Sequence, residues 1–170
     1  MGLADFGDGN LVAISEILTY SRIEAQSSPE SRPVRQWTVK VYELVEGPGK
    51  SPEVGHAVVV TAPNLDLESQ EGCDAISGDL ETVVTALLEA GDPELFGPLL
   101  ILDYFHVNPK YRGRGLATTV AQEAIEWFEG LVNFVALAVT QKPKVRPAAA
   151  RVVEKLGFRQ LKDDVWVREL

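Results

Sequence analysis

The segment Arg112-Gly113-Arg114-Gly115-Leu116-Ala117 carries residues suited to hold an anion. Two glycines let the backbone wrap closely around a charge, and two arginines can hydrogen-bond or screen it. If a strand ends before this turn and a helix begins after it, the first helical amides are unpaired and the helix dipole adds positive potential there. A pyrophosphate satisfies both. The turn is not a dinucleotide-binding Gly-x-Gly-x-x-Gly fingerprint, and it lacks the Gly-Lys-Ser/Thr of a Walker loop. The bland alternative is a tight connection with no ligand.

Just upstream, Asp103 interrupts the apolar run Leu99–Val107. A carboxylate there is costly to bury unless it is paired or lines a cleft. It is read either as a base or amine-binding group, or as a structural carboxylate bonded to a nearby Tyr or Arg. By strand alternation it shares a face with Ile101, Phe105 and Val107, with His106 on the other face. His106 titrates in the range useful for proton transfer near neutrality, or is simply a satisfied, half-buried histidine. Tyr104 and Tyr42 donate hydrogen bonds in a groove or pack, and His56 is a weaker candidate of the same kind. Cys73, alone in an acidic stretch, is a poor nucleophile and has no partners for a disulfide or a zinc site, so no metal is expected.

These groups need elements to position them. Trp37–Val45 and Val54–Thr61 are β-rich runs around Glu46-Gly47-Pro48-Gly49 and predict an antiparallel hairpin. Residues 1–10 read as loose, Leu11–Tyr20 as a strand or short helix, 25–33 as a linker and Asn64–Ile76 as a polar connection. Ser77 or Asp79 caps a helix carrying Leu80, Val83, Val84, Leu87 and Leu88, which Gly91-Asp92-Pro93 stops. Leu99–Val107 reads as a strand covered on both faces. A helix over Leu116–Phe128 has Val120, Ala121, Ala124, Ile125 and Phe128 inward. A second buried strand covers 131–139, a helix runs from Pro147 to Leu156 before Gly157, and Val165–Leu170 alternates as a last strand. The expected class is α/β, and 170 residues make one domain, with 1–36 peripheral and 62–98 an acidic insertion carrying a helix.

The formal net charge is -9, unevenly spread: residues 51–109 hold no Lys or Arg against 11 acidic residues, while 110–170 hold 11 basic and 7 acidic. Such a chain repels nucleic-acid backbones, yet its last third can attract a small phosphorylated ligand. The start of the sequence has no secretory signal, and no apolar run is long enough to span a membrane, so a cytoplasmic location is expected. Monomer and homodimer both stay open.

Val107-Asn108-Pro109-Lys110-Tyr111-Arg112-Gly113-Arg114-Gly115-Leu116-Ala117 resembles the acetyl-CoA-binding motif of the GNAT N-acetyltransferase superfamily: a strand ending in Val-x-Pro, then Gln/Arg-x-x-Gly-x-Gly/Ala. Val153-Glu154-Lys155-Leu156-Gly157-Phe158 resembles its second signature. The likeness covers 99–170 and, through the hairpin, 37–61. It implies a mixed, splayed central β-sheet flanked by helices. Backbone of Phe105, His106 and Val107 would meet the pantetheine arm, and amides of Arg112, Gly113, Arg114, Gly115, Leu116 and Ala117 the pyrophosphate. Strands 99–107 and 132–139 would part to admit acetyl-CoA. The reaction implied is acetyl transfer to a primary amine by direct attack in a ternary complex, with Asp103, His106 and Tyr104 as candidates for proton transfer. The acidic stretch favours a cationic small-molecule or peptide amine. Val153 departs from the family, many of whose members have a Tyr there to protonate the leaving thiolate. That departure keeps open a non-catalytic acyl-CoA-binding module; acetylation of a protein or aminoacyl-tRNA amine is a further alternative.

Overall fold

The structure, a computed structural model, describes residues 34–43, 52–139 and 147–170 with their side chains, and the backbone alone of Leu3–Asp5, Leu11–Tyr20 and Arg146. An eight-stranded sheet is ordered β1-β2-β3-β4-β5-β6-β8-β7. Its strands are β1 (Leu3–Asp5), β2 (Leu11–Tyr20), β3 (Arg35–Glu43), β4 (Glu53–Ala62), β5 (Leu99–Val107), β6 (Phe134–Ala138), β7 (Arg159–Lys162) and β8 (Val165–Glu169). The helices are α1 (Leu67–Asp74), α2 (Gly78–Ala90), α3 (Leu116–Glu126) and α4 (Arg146–Lys155).

All pairings are antiparallel except β5 with β6. That parallel pair is short: Leu99, Leu100 and Ile101 face Phe134, Val135 and Ala136, and beyond them the strands separate while β6 stays paired to β8. The sheet is therefore mixed and splayed. Apolar alternation buries both of its faces. Leu100, Leu102, Val135 and Leu137 join the core beneath α3 and α4, while Leu99, Ile101, Phe134 and Ala136 join the core beneath α1 and α2. Burying each such side chain contributes about 1.5–3 kcal/mol before entropy is counted.

The expected hairpin is β3–β4; its turn and the 25–33 linker lie outside the described residues. Ser77 caps α2, its hydroxyl accepting from the Leu80 amide, and left-handed Gly91 ends it. Four expectations are corrected. Residues 1–10, read as loose, include β1. Asn64–Ile76, read as a connection, contains α1, because Asp66 accepts from the Ser69 amide at 2.8 Å and supplies a cap that offsets weak amphipathicity. β7 was not foreseen: it is a short, half-exposed run that becomes a strand by pairing with β8. Finally, β5 is covered on both faces only as far as Leu102; Asp103 and Tyr104 are exposed.

Candidate active site

The exposed end of β5 is shaped by a bulge. Val58 of β4 pairs with Tyr104, but its neighbour Val59 pairs with Leu102, leaving Asp103 as the extra residue. Uninterrupted alternation had put Asp103 on one face with Phe105 and Val107, and His106 opposite. The inserted residue resets the phase. Phe105 and Val107 pack into the α3 side, while Asp103 looks toward α2 with Ile101, and Tyr104 and His106 share that side.

The side facing α2 opens into a cavity of about 550 Å³ at the point where β5 and β6 part. Its walls come from α2, from Leu102 and Asp103, from Ala138 and Val139, and from the β7–β8 turn. Four aspartates line it, Asp79, Asp103, Asp163 and Asp164, with no Lys or Arg among the lining residues. Burial pushes the Asp103 carboxyl above its ordinary pKa, and the negative charge of Asp79 adds to the effect. The carboxyl remains reachable from the cavity even though the surrounding walls thin its water. Asp163 and Asp164 belong to the missed hairpin; the signal for them was an Asp-Asp pair just before the alternating run from Val165, at the turn where Asp163 takes a positive φ of 49°.

Tyr104 and His106 sit further along β5, with the tyrosine hydroxyl 3.2 Å from His106 Nδ1. His56 faces His106 directly across β4–β5, and its Nδ1 lies 2.9 Å from Glu53 Oε1. Cys73, on the inner face of α1, is fully buried, and burial, with a smaller effect from Asp103, pushes its thiol up to about 12, so it stays protonated and inert. Val153 is 1% exposed within the core beneath α3 and α4.

Beyond β5 the chain makes a single 3-10 turn, Pro109–Tyr111, fixed from several directions. The Asn108 amide donates to the Val54 carbonyl at 2.8 Å, its side chain donates to the Glu53 carbonyl, and buried Tyr111 donates to Glu43. Arg112 Nε donates to the Val107 carbonyl at 2.9 Å, so part of this guanidinium braces the strand end. Gly113 and Gly115 then take φ values of 78° and 77°, the left-handed region where only glycine is free of strain. Gly115 is the N-cap of α3 and has no side chain to accept from its first amides. These amides at the end of an 11-residue helix point where a phosphate would lie, and the space beside both glycines is open. The edge of β5 that β6 abandons offers backbone from Phe105 to Val107 beside it. These features fit the pyrophosphate and pantetheine of coenzyme A.

Among the described residues no group of three or more His, Cys, Asp or Glu is arranged to hold a metal, and no helix is long and apolar enough to cross a membrane.

Among solved structures, a mosquito arylalkylamine N-acetyltransferase like 5b aligns with a TM-score of 0.53 at 15% identity, over 78% of this chain and 74% of that one. The Drosophila melanogaster polyamine N-acetyltransferase, described as catalysing formation of N-acetylagmatine, aligns with a TM-score of 0.47 at 18% identity, over 77% and 74%. No match is found among curated protein sequences. The profile of the acetyltransferase (GNAT) family matches residues 69–158, beginning inside α1 and so extending the likeness into the 62–98 segment. That match spans more than half of the 170 residues, and the splayed β5–β6 pair with its open helix end agrees with it: the chain belongs to the GNAT acetyltransferase family.

Proposed function

We propose that the protein is an acetyl-CoA-dependent N-acetyltransferase whose acceptor is a cationic primary amine. The observation that carries this reading is the gap between β5 and β6, which has the open amides of α3 on one side and the four-aspartate cavity on the other. Acetyl-CoA, when bound, supplies an acetyl group already activated as a thioester, so no residue needs to be acylated. The amides of Gly113–Ala117 hold the pyrophosphate, that of Arg112 being spent on the Pro109 carbonyl, and backbone of Phe105, His106 and Val107 aligns the pantetheine. Asp79, Asp163 and Asp164 favour an ammonium group in the cavity. Asp103, its proton affinity raised, accepts a proton from that ammonium so that nitrogen can attack. The likeness to an arylalkylamine acetyltransferase is in keeping with an amine acceptor.

Thiol release from acetyl-CoA across mono- and polyamines, with neutral alcohols as controls, tests the reading; tight cofactor binding with no acceptor-dependent release would overturn it. That outcome would favour the second reading, an acyl-CoA-binding module, which rests on Val153 being a buried aliphatic residue where many relatives carry a Tyr. Arg114→Ala is expected to weaken acetyl-CoA binding by ~1 kcal/mol, the scale of a charge-assisted contact, as read by calorimetry.

A further inference from the structure

A second cavity, of about 470 Å³, lies at the start of β5, the opposite end of that strand from the phosphate turn, on the face of the sheet that carries α3. It shares no lining residue with the four-aspartate cavity. One wall is set by the pairing of β3 with β4: Arg35 stands opposite Thr61, and alternation puts Trp37 on the same face as Arg35. The Trp37 indole donates to the Thr61 hydroxyl at 2.9 Å and meets the Phe128 ring edge to face, with 5.6 Å between centroids. These two contacts hold the indole in place before any ligand arrives. Pro63, Pro98, Leu131 and Val132 add apolar surface, Leu131 being 69% exposed.

The polar side chains of this wall offer hydrogens. Thr61 accepts from Trp37, which leaves its own hydroxyl hydrogen to donate. The exposed Arg35 guanidinium has no ion pair among the described residues, and no carboxylate lines the cavity. Glu129, bridged to Val132 through the backbone, is not one of the lining residues. Two nearby acceptors are already used: the Pro98 carbonyl takes the Asn133 amide at 2.7 Å, and the Phe128 carbonyl takes those of Leu131 and Val132. An apolar, aromatic-sided hollow with a cation and a hydroxyl donor at one edge suits a flat apolar body that ends in an anion.

We propose that this cavity is a binding site for a small aromatic carboxylate, its ring against Trp37 and its carboxylate on Arg35 and the Thr61 hydroxyl. The guanidinium fork matches the two oxygens of such a group. The site is separate from acyl transfer and does not depend on the acetyltransferase reading. Naphthoate and naphthamide, alike in shape and different in charge, are the probes. The chain has 3 tryptophans, so its proton–nitrogen NMR spectrum holds three indole signals, and Trp37→Phe identifies the relevant one. Naphthoate should shift the Trp37 indole N–H and bind about tenfold more tightly than the amide, the scale of a charged hydrogen bond. Arg35→Ala should abolish that preference without moving the melting temperature, and Arg35→Lys should recover part of it. Coenzyme A in excess should leave the probe bound, since its expected place is at the other end of β5. The proposal is overturned if millimolar naphthoate leaves the Trp37 signal unmoved, if acid and amide bind alike, or if Arg35→Ala binds naphthoate as the unaltered protein does. Displacement by coenzyme A would also overturn it, by placing the probe in the gap between β5 and β6.

Discussion

In the proposed role, Asp103 couples function to stability in opposite directions. Its pKa is raised by burial and by Asp79, so the folded chain holds the proton more tightly than the unfolded one. The associated stability is present below the unfolded pKa and is lost as pH rises through the folded value. Asp103→Asn should therefore make the protein more stable near neutrality, by a few tenths of a kcal/mol once solvent screening in the open cavity is allowed for, with no gain in acid. Thermal unfolding at the two pH values checks this. The same substitution should slow amine acetylation by roughly 10²-fold or more. Cys73 offers a simpler test: its buried, protonated thiol should resist alkylation in the native protein and react once urea exposes it, as mass spectrometry would show. That Asp103 stood out in the sequence follows from its charge amid apolar neighbours. Its alignment with Ile101 was legible, but its separation from Phe105 and Val107 was not, because an inserted residue in an apolar strand leaves no mark on the alternation until the partner strand is known.

At the scale of elements, the turn into α3 was readable because glycines, a proline and arginines sit at fixed offsets in one short stretch. The reason each glycine is needed is specific: both are left-handed, while an added Cβ would meet nothing within 4 Å. Gly115→Ala is thus expected to cost about 1–2 kcal/mol through backbone strain, measured by denaturant unfolding, and to weaken acetyl-CoA binding as the amides move. Gly91→Ala, also left-handed but at the end of α2, should lose stability without that loss of affinity. Val153→Tyr is expected to destabilise by ~1–3 kcal/mol, because a ring must enter a filled core. α1 and β7 escaped the sequence for a shared reason. Each is short and only partly apolar, and each is held by the element that follows it: Gln70 of α1 donates to Thr85 of α2 at 2.7 Å, and β7 leans on β8.

Across the molecule, the division of charge in the sequence becomes a division of space. The acid-only third of the chain supplies α2 and Asp103 to one side of the gap, while the basic third supplies the phosphate turn on the other. The carboxylates lining the cavity are not all from that acidic stretch, since Asp163 and Asp164 arrive from the basic third, something no count along the chain reveals. Long-range attraction between this cavity and a cationic acceptor weakens with ionic strength. KM for a diamine should therefore rise as salt is added, and rise more steeply than for a monoamine of similar size; steady-state assays across a salt series would show it.

The unsatisfied start of α3 has a practical consequence for anyone handling the protein. Amides proposed to hold a pyrophosphate would not distinguish it sharply from inorganic phosphate or sulfate, and an anion that binds only the folded chain raises its melting temperature. Stability measured in phosphate buffer would then include a contribution from the buffer itself. Coenzyme A titrated into the same solution would have to displace that ion, and its affinity would be read as too weak.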